Sequence, residues 1–96
     1  MGKYSLNKTP LDLLSEIAFK VKVLRKEQSF SQSVLAQKSG VSLASLRRFE
    51  QTGQISFESL LKILHVLGRL GDLESILEIK QGNKDVEILF SSKTRG

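Results

Sequence analysis

Positions 32–50, QSVLAQKSGVSLASLRRFE, constrain the fold of this chain more than any other stretch. Ser31 and Ser42 each stand just before a short apolar-periodic segment, where a hydroxyl can cap the free N–H groups of a helix start. Gly40 stops the first segment, because glycine takes a positive φ without a Cβ penalty. Only Gly40 and Val41 separate that stop from the next cap. So short a link forces the two helices to cross steeply. A close crossing needs a small side chain at the contact, which Ala36 supplies. Leu35, Val41, Leu46 and Phe49 are the apolar anchors that would hold the second helix of the pair against a body.

The remaining sequence supplies that body. Thr9-Pro10 predicts a first helix, with Thr9 as cap, Pro10 at the first helical position and Asp12 at the positive end of the helix dipole. Leu11, Leu14, Ile17, Ala18, Val21 and Leu24 recur at spacings of three and four and predict its buried stripe. The second helix follows Ser31, with Val34, Leu35 and Ala36 inward. The third follows Ser42, with Leu46 and Phe49 inward, and stops at Gly53. Ser56 caps a fourth helix carrying Leu60, Leu61, Ile63, Leu64 and Leu67. A short fifth helix is expected at about residues 72–78, burying Leu73, Ile76 and Leu77. Gln81-Gly82-Asn83-Lys84 is a turn signal, and residues 86–90 (VEILF) form a short β-prone run. The expected organisation is an N-terminal arm at 1–8, a helical domain at 9–80 and a C-terminal extension at 81–96. The fold class is all-α, with five helices and a short C-terminal strand.

Composition narrows the chemistry. At 96 residues the chain is sized for one domain. It contains no cysteine and a single histidine, which excludes disulfides, thiolate metal sites and a thiol nucleophile. His65 reads as a helix-surface residue. No metal or other cofactor is expected, no Gly-rich phosphate loop is present, and no enzymatic activity is indicated. No apolar run approaches the length of a membrane span, and the first ten residues lack the apolar stretch of a secretion signal, so a cytoplasmic location is expected. The net charge of +5 is unevenly placed. Residues 1–48 hold nine Lys/Arg against three Asp/Glu, and residues 49–96 hold six against seven. The positive excess thus lies in the half that carries the glycine turn. That suits a phosphate backbone as a partner, and equally a solvated lysine-rich surface.

The glycine-turn pair gives the charge a geometry. A helix that enters the DNA major groove presents its N-terminal residues to the bases. The residues expected to be exposed there are Ser42, Leu43, Ala44, Ser45, Arg47 and Arg48. An arginine can donate two hydrogen bonds to guanine O6 and N7, or clamp a phosphate. Leu43 and Ala44 are suited to thymine methyls. Ser31 and Gln32, at the start of the second helix, are placed for a phosphate.

Residues from about Arg25 to Leu77 resemble the lambda-repressor-like, Xre-type helix-turn-helix family. The resemblance rests on Gln32, Leu35-Ala36, Gly40-Val41-Ser42, Leu46, Phe49-Glu50, Gly53 and Ile55-Ser56. It implies a DNA-binding domain in which Gln32 touches a phosphate and Arg25 pairs with Glu50. Leu43 and Ala44 depart from the polar residues many relatives carry at those places. The run SLRRFEQTGQISFESLLKI at 45–63, with Leu67-Gly68, Leu70 and Leu73 behind it, is similar to HipB-like antitoxins. That likeness implies a homodimer that represses its own operon by binding operator DNA, and a HipA-like kinase toxin as partner. It also implies a strand, here 86–90, that pairs across the dimer; apolar surface around Leu70 and Leu73 is the other candidate contact. The competing reading is a protein-interaction module on the same scaffold that binds a partner such as a toxin without reading DNA.

Overall fold

The computed structural model describes residues 8–79, which form five helices and no strand. They are α1 (Pro10–Glu27), α2 (Gln32–Ser39), α3 (Leu43–Thr52), α4 (Phe57–Val66) and α5 (Gly71–Glu74). The fold is all-α, as the periodicity predicts.

Four of the five starts follow from capping chemistry. The α1 cap is reciprocal: Asp12 N–H donates to Thr9 Oγ1, and Thr9 N–H donates to Asp12 Oδ2, both at 3.1 Å. The Thr9 N–H, and then the Thr9 hydroxyl, hold the Asp12 carboxyl below its ordinary pKa. Ser31, Ser42 and Ser56 each accept from the N–H three residues on, at 3.0–3.1 Å. Gly40 and Gly53 end α2 and α3 at φ +79° and +83°, conformations that disfavour any side chain. Gly53 has a second constraint, since a Cβ there would sit 2.9 Å from the carbonyl carbon of Leu14.

The core is a single cluster. Ala18 and Val21 from α1, Leu35 and Ala36 from α2, and Leu46 and Phe49 from α3 meet Ile63, Leu64 and Leu67 from α4 and its end, with Val41 from the turn. α1 packs against α3, and α2 packs against both α3 and α4. Ala36 is 7 % exposed, as a small residue at the crossing should be.

Three packing expectations need correction. Only the C-terminal two-thirds of the α1 stripe packs on the core: Leu11 and Leu14 are exposed, since the core cluster on α1 begins at Ile17 and Leu14 approaches Gly53 through its backbone and Cβ. Val34 is likewise exposed, being turned away from the α2–α4 contact that Leu35 and Ala36 make. The fifth helix is shorter than 72–78. It ends at Glu74, with Leu73 partly buried but Ile76 57 % and Leu77 87 % exposed. Its start has no side-chain cap, since Leu70 holds that position. Beyond Ser75 the chain turns and carries Leu77 at φ +56°, which cannot continue a right-handed helix. His65 is exposed on α4, as expected. The β-prone run at 86–90 and the arm before Lys8 lie outside the described residues.

Candidate nucleic-acid interface

The interface is built outward from a buried ion pair. Arg25, near the end of α1, reaches Glu50 on α3 through two bonds: Nε to Oε2 at 2.7 Å and Nη2 to Oε1 at 3.0 Å. Its Nη1 donates to the Phe30 carbonyl at 2.8 Å. The two side chains are only 7 % and 4 % exposed, and no buried side-chain polar atom among the described residues lacks a partner. A buried pair satisfied this fully ties α1, the 28–31 turn and α3 into one frame. The pairing of Arg25 with Glu50 stands as the family resemblance implies.

Gln32 joins the network. Its Nε2 donates to Glu50 Oε1 at 2.9 Å, and Arg47 Nε donates to its Oε1 at 3.4 Å. The residue implied to touch a phosphate is therefore half-buried and already oriented by protein contacts, with its amide at the surface between α2 and α3. Ser31 sits beside it, exposed, with its oxygen occupied as the α2 cap.

On α3, Leu46 and Phe49 face the core, which turns Ala44, Arg48 and Gln51 outward along one line at i, i+4 and i+7. Arg47 and Ser45 flank that line on opposite sides. Arg47 leans towards Gln32, whereas Arg48 leans towards the α3–α4 loop, where its Nη2 donates to Gln54 Oε1 at 2.5 Å. Ser42 and Ser45 are joined to each other, Oγ to Oγ at 2.9 Å. Leu43 departs from the expected exposure. It is half-buried against the core, because at the first position of α3 it lies on the same side as Leu46. Of the eight sequence-selected residues, the structure gathers Gln32 and Arg47 at one edge and Ala44 and Arg48 on the open face. It leaves Ser31, Ser42 and Ser45 in caps and cap-linked bonds, and turns Leu43 inward.

Sequence reasoning overlooked four neighbours. Gln54, Ser56 and Ser59 join Ser45, Arg48 and Ile55 around a polar-edged cavity of about 310 Å³ between α3 and the start of α4. Gln51 extends the outward line of α3. The i, i+4, i+7 spacing from Ala44 would have found Gln51. The others come from a different helix and its loop, and no local pattern links them to Arg48.

Lys38 Nζ stands 5.5 Å from the centre of the Phe30 ring, and Lys26 is exposed in the last turn of α1, next in sequence to Arg25. No described helix is long and apolar enough to cross a membrane.

The α2–α3 pair therefore has its second helix held from behind by an ion pair and carries two exposed arginines in front. A family model described as helix-turn-helix matches residues 21–72, more than half of the chain. No curated protein and no solved structure matches it. The matched segment runs from Val21 in the core of α1 to Asp72 in α5, so it takes in the whole α2–α3 pair and the frame that supports it. The chain belongs to the Xre, lambda-repressor-like helix-turn-helix family, a DNA-binding family whose members are typically regulators of transcription rather than enzymes.

Proposed function

We propose that this protein is a sequence-specific transcriptional repressor that binds operator DNA as a homodimer, with α3 in the major groove. The observation that carries this reading is the outward line of α3, with Arg48 at its centre and Arg47 and Gln32 at its edge. Two such helices in a dimer would meet half-sites about one helical turn apart. Arg48 and Ser45 are the polar base-contacting residues in this reading, Ala44 suits a thymine methyl, and Leu43 mainly anchors the helix. Ser31, Gln32 and Ser42 stand where the ends of α2 and α3 approach the backbone.

A gel-shift titration on the DNA upstream of the protein's own reading frame tests the reading. Specific binding should weaken steeply with salt. Arg48→Ala should reduce specific affinity by roughly 1–3 kcal/mol while the fold persists. A flat salt response would remove the DNA role, and an unchanged affinity in Arg48→Ala would remove that residue from it.

The dimer and the HipA-like kinase partner rest on the sequence likeness. Residues 86–90 and the apolar surface around Leu70 and Leu73 are the two dimer contacts proposed. Solution mass with and without residues 82–96 separates them: a truncated chain that still dimerises fully excludes the strand. The second reading, a protein-binding module that does not read DNA, is favoured by an apolar groove of about 420 Å³ lined from α1, α4 and the α5 region and by no α3 residue. Ile17, Val23, Leu24, Leu60 and Leu73 contribute to its walls. In that reading the gel shift fails and a HipA-like partner, supplied as purified protein, still binds.

A further inference from the structure

The two arginines of α3 are adjacent in sequence but are held by different partners, and the difference assigns them different work. Glu50 is ion-paired with Arg25, and a carboxylate only accepts hydrogen bonds. The Gln32 amide beside it must therefore turn its NH2 group inward, as the 2.9 Å bond from Nε2 to Glu50 Oε1 requires. With the nitrogen committed inward, the amide oxygen can only face the other way. There it accepts from Arg47 Nε at 3.4 Å. The chain Arg25–Glu50–Gln32–Arg47 thus runs from the core to the surface with a donor and an acceptor fixed at every link. At its outer end the second N–H of Gln32 Nε2 and the two terminal nitrogens of Arg47 make no hydrogen bond to any described residue. These free donors belong to two side chains that meet at the α2–α3 edge, whereas Arg48 is held at the α3–α4 loop.

We propose that Arg47 joins Gln32, the residue for which the family resemblance implies a phosphate contact, in one clamp on a DNA backbone phosphate aimed by Glu50, so that Arg47 grips the backbone and Arg48 alone of the two reads bases. Arg47 and Gln32 touch the phosphate, and Glu50 is a positioning residue acting through Gln32. The assignment rests on the DNA-binding reading above and sharpens it. A fork of parallel N–H donors fits phosphate oxygens and carries no base information.

The test is a salt series on two duplexes, the upstream operator and an unrelated sequence, with wild type, Arg47→Ala, Gln32→Met and the double variant. Far-UV circular dichroism confirms folding. Arg47→Ala should lower affinity for both duplexes by the same factor, about tenfold, and flatten the slope of log K against log salt by about 0.9. Gln32→Met cuts the link between Glu50 and Arg47 without touching the ion pair. It should cost affinity on both duplexes, and the double variant should fall well short of the product of the two single losses. Arg48→Ala should instead lower binding to the operator more than to the unrelated duplex. An unchanged slope in Arg47→Ala, or a changed ranking of operator base variants, would overturn the clamp while leaving DNA binding intact. Losses from Gln32→Met and Arg47→Ala that simply multiply would overturn the single clamp and, with it, any aiming of Arg47 through Gln32. Arg47 is exposed and outside the core, so its variant carries the test even if Gln32→Met proves unstable. Wild-type protein that shows no salt-dependent binding to either duplex would overturn the DNA-binding reading and the clamp with it.

Discussion

α3 and α5 are both short and both present leucine to the core, but they are held very differently. α3 has a serine cap at its start, a left-handed glycine at its end, two fully buried side chains in Leu46 and Phe49, and Glu50 locked to Arg25. α5 has leucine at the cap position, no left-handed glycine at its end, and only Leu73 packed on the core. The contrast teaches that apolar periodicity alone does not sustain a helix at the edge of a small core. It needs end chemistry and at least one contact on each of two successive turns. On the proposed DNA-binding reading, the element that must hold its shape against a ligand is the one fixed at both ends and from behind.

The strongest way to break this comparison is to remove the anchor of α3. Glu50→Ala would strand the Arg25 guanidinium, 6 % exposed, with only the Phe30 carbonyl as partner. The expected cost is about 3–5 kcal/mol in denaturant unfolding. A loss under about 1 kcal/mol would mean that apolar packing alone holds the helix. The end of α3 gives the next effect. Gly40→Ala and Gly53→Ala both force alanine to a positive φ, a strain of about 1–2 kcal/mol. Gly40 opens into free space, whereas a Cβ on Gly53 would collide with the Leu14 backbone. Gly53→Ala should therefore exceed Gly40→Ala by at least about 1 kcal/mol. Equal costs would show that the first turn of α1 gives way freely.

The parts of this architecture that were legible in the sequence are those written in local chemistry. Thr9, Ser31, Ser42, Ser56, Gly40 and Gly53 mark helix ends through bonds made within four residues, so their positions alone locate α1 to α4. The Arg25–Glu50 pair was reachable only through the family resemblance, because 25 residues separate the partners. The overextension of α5 came from reading Ile76 and Leu77 as periodic when nothing among the described residues covers them. At the candidate interface, the grouping of Ala44, Arg47 and Arg48 was legible because they share one helix. Gln54, Ser56 and Ser59 were missed because they meet Arg48 only across the α3–α4 bend. Leu43 was misjudged because its place one turn before Leu46 and Arg47 fits either face until the core is built.

A smaller effect tests the capping half of the contrast at α1, which has the side-chain cap that α5 lacks. The Thr9 backbone N–H, and then its hydroxyl, stabilise the charged form of Asp12 and lower its pKa from the ordinary 3.8. A carboxyl whose folded pKa is lowered contributes stability above its unfolded value, and loses it as the pH falls through the folded value. Wild type should therefore melt above Asp12→Asn at pH 5–7, roughly one unit or more above the unfolded value. The gap should close once the pH drops below 3.8 and passes the lowered value. A gap that does not change with pH would mean that the cap works through shape and not charge.

The smallest expected effect is at the far side of the comparison. Leu77 is 87 % exposed and sits at φ +56°, a conformation that strains a leucine and suits a glycine. Burial loss and backbone relief are both small there and opposite in sign. The greater freedom of glycine in the unfolded chain offsets part of the relief. Leu77→Gly should therefore leave unfolding free energy within about 0.5 kcal/mol of wild type. The measurement is most informative when repeated over a range of protein concentration. If the residues after α5 form no part of an interface, the near-zero change holds at every concentration. A cost above about 1 kcal/mol that grows with concentration would show that a second copy covers Leu77. The weakly held end of the molecule would then be completed by assembly and not by its own core.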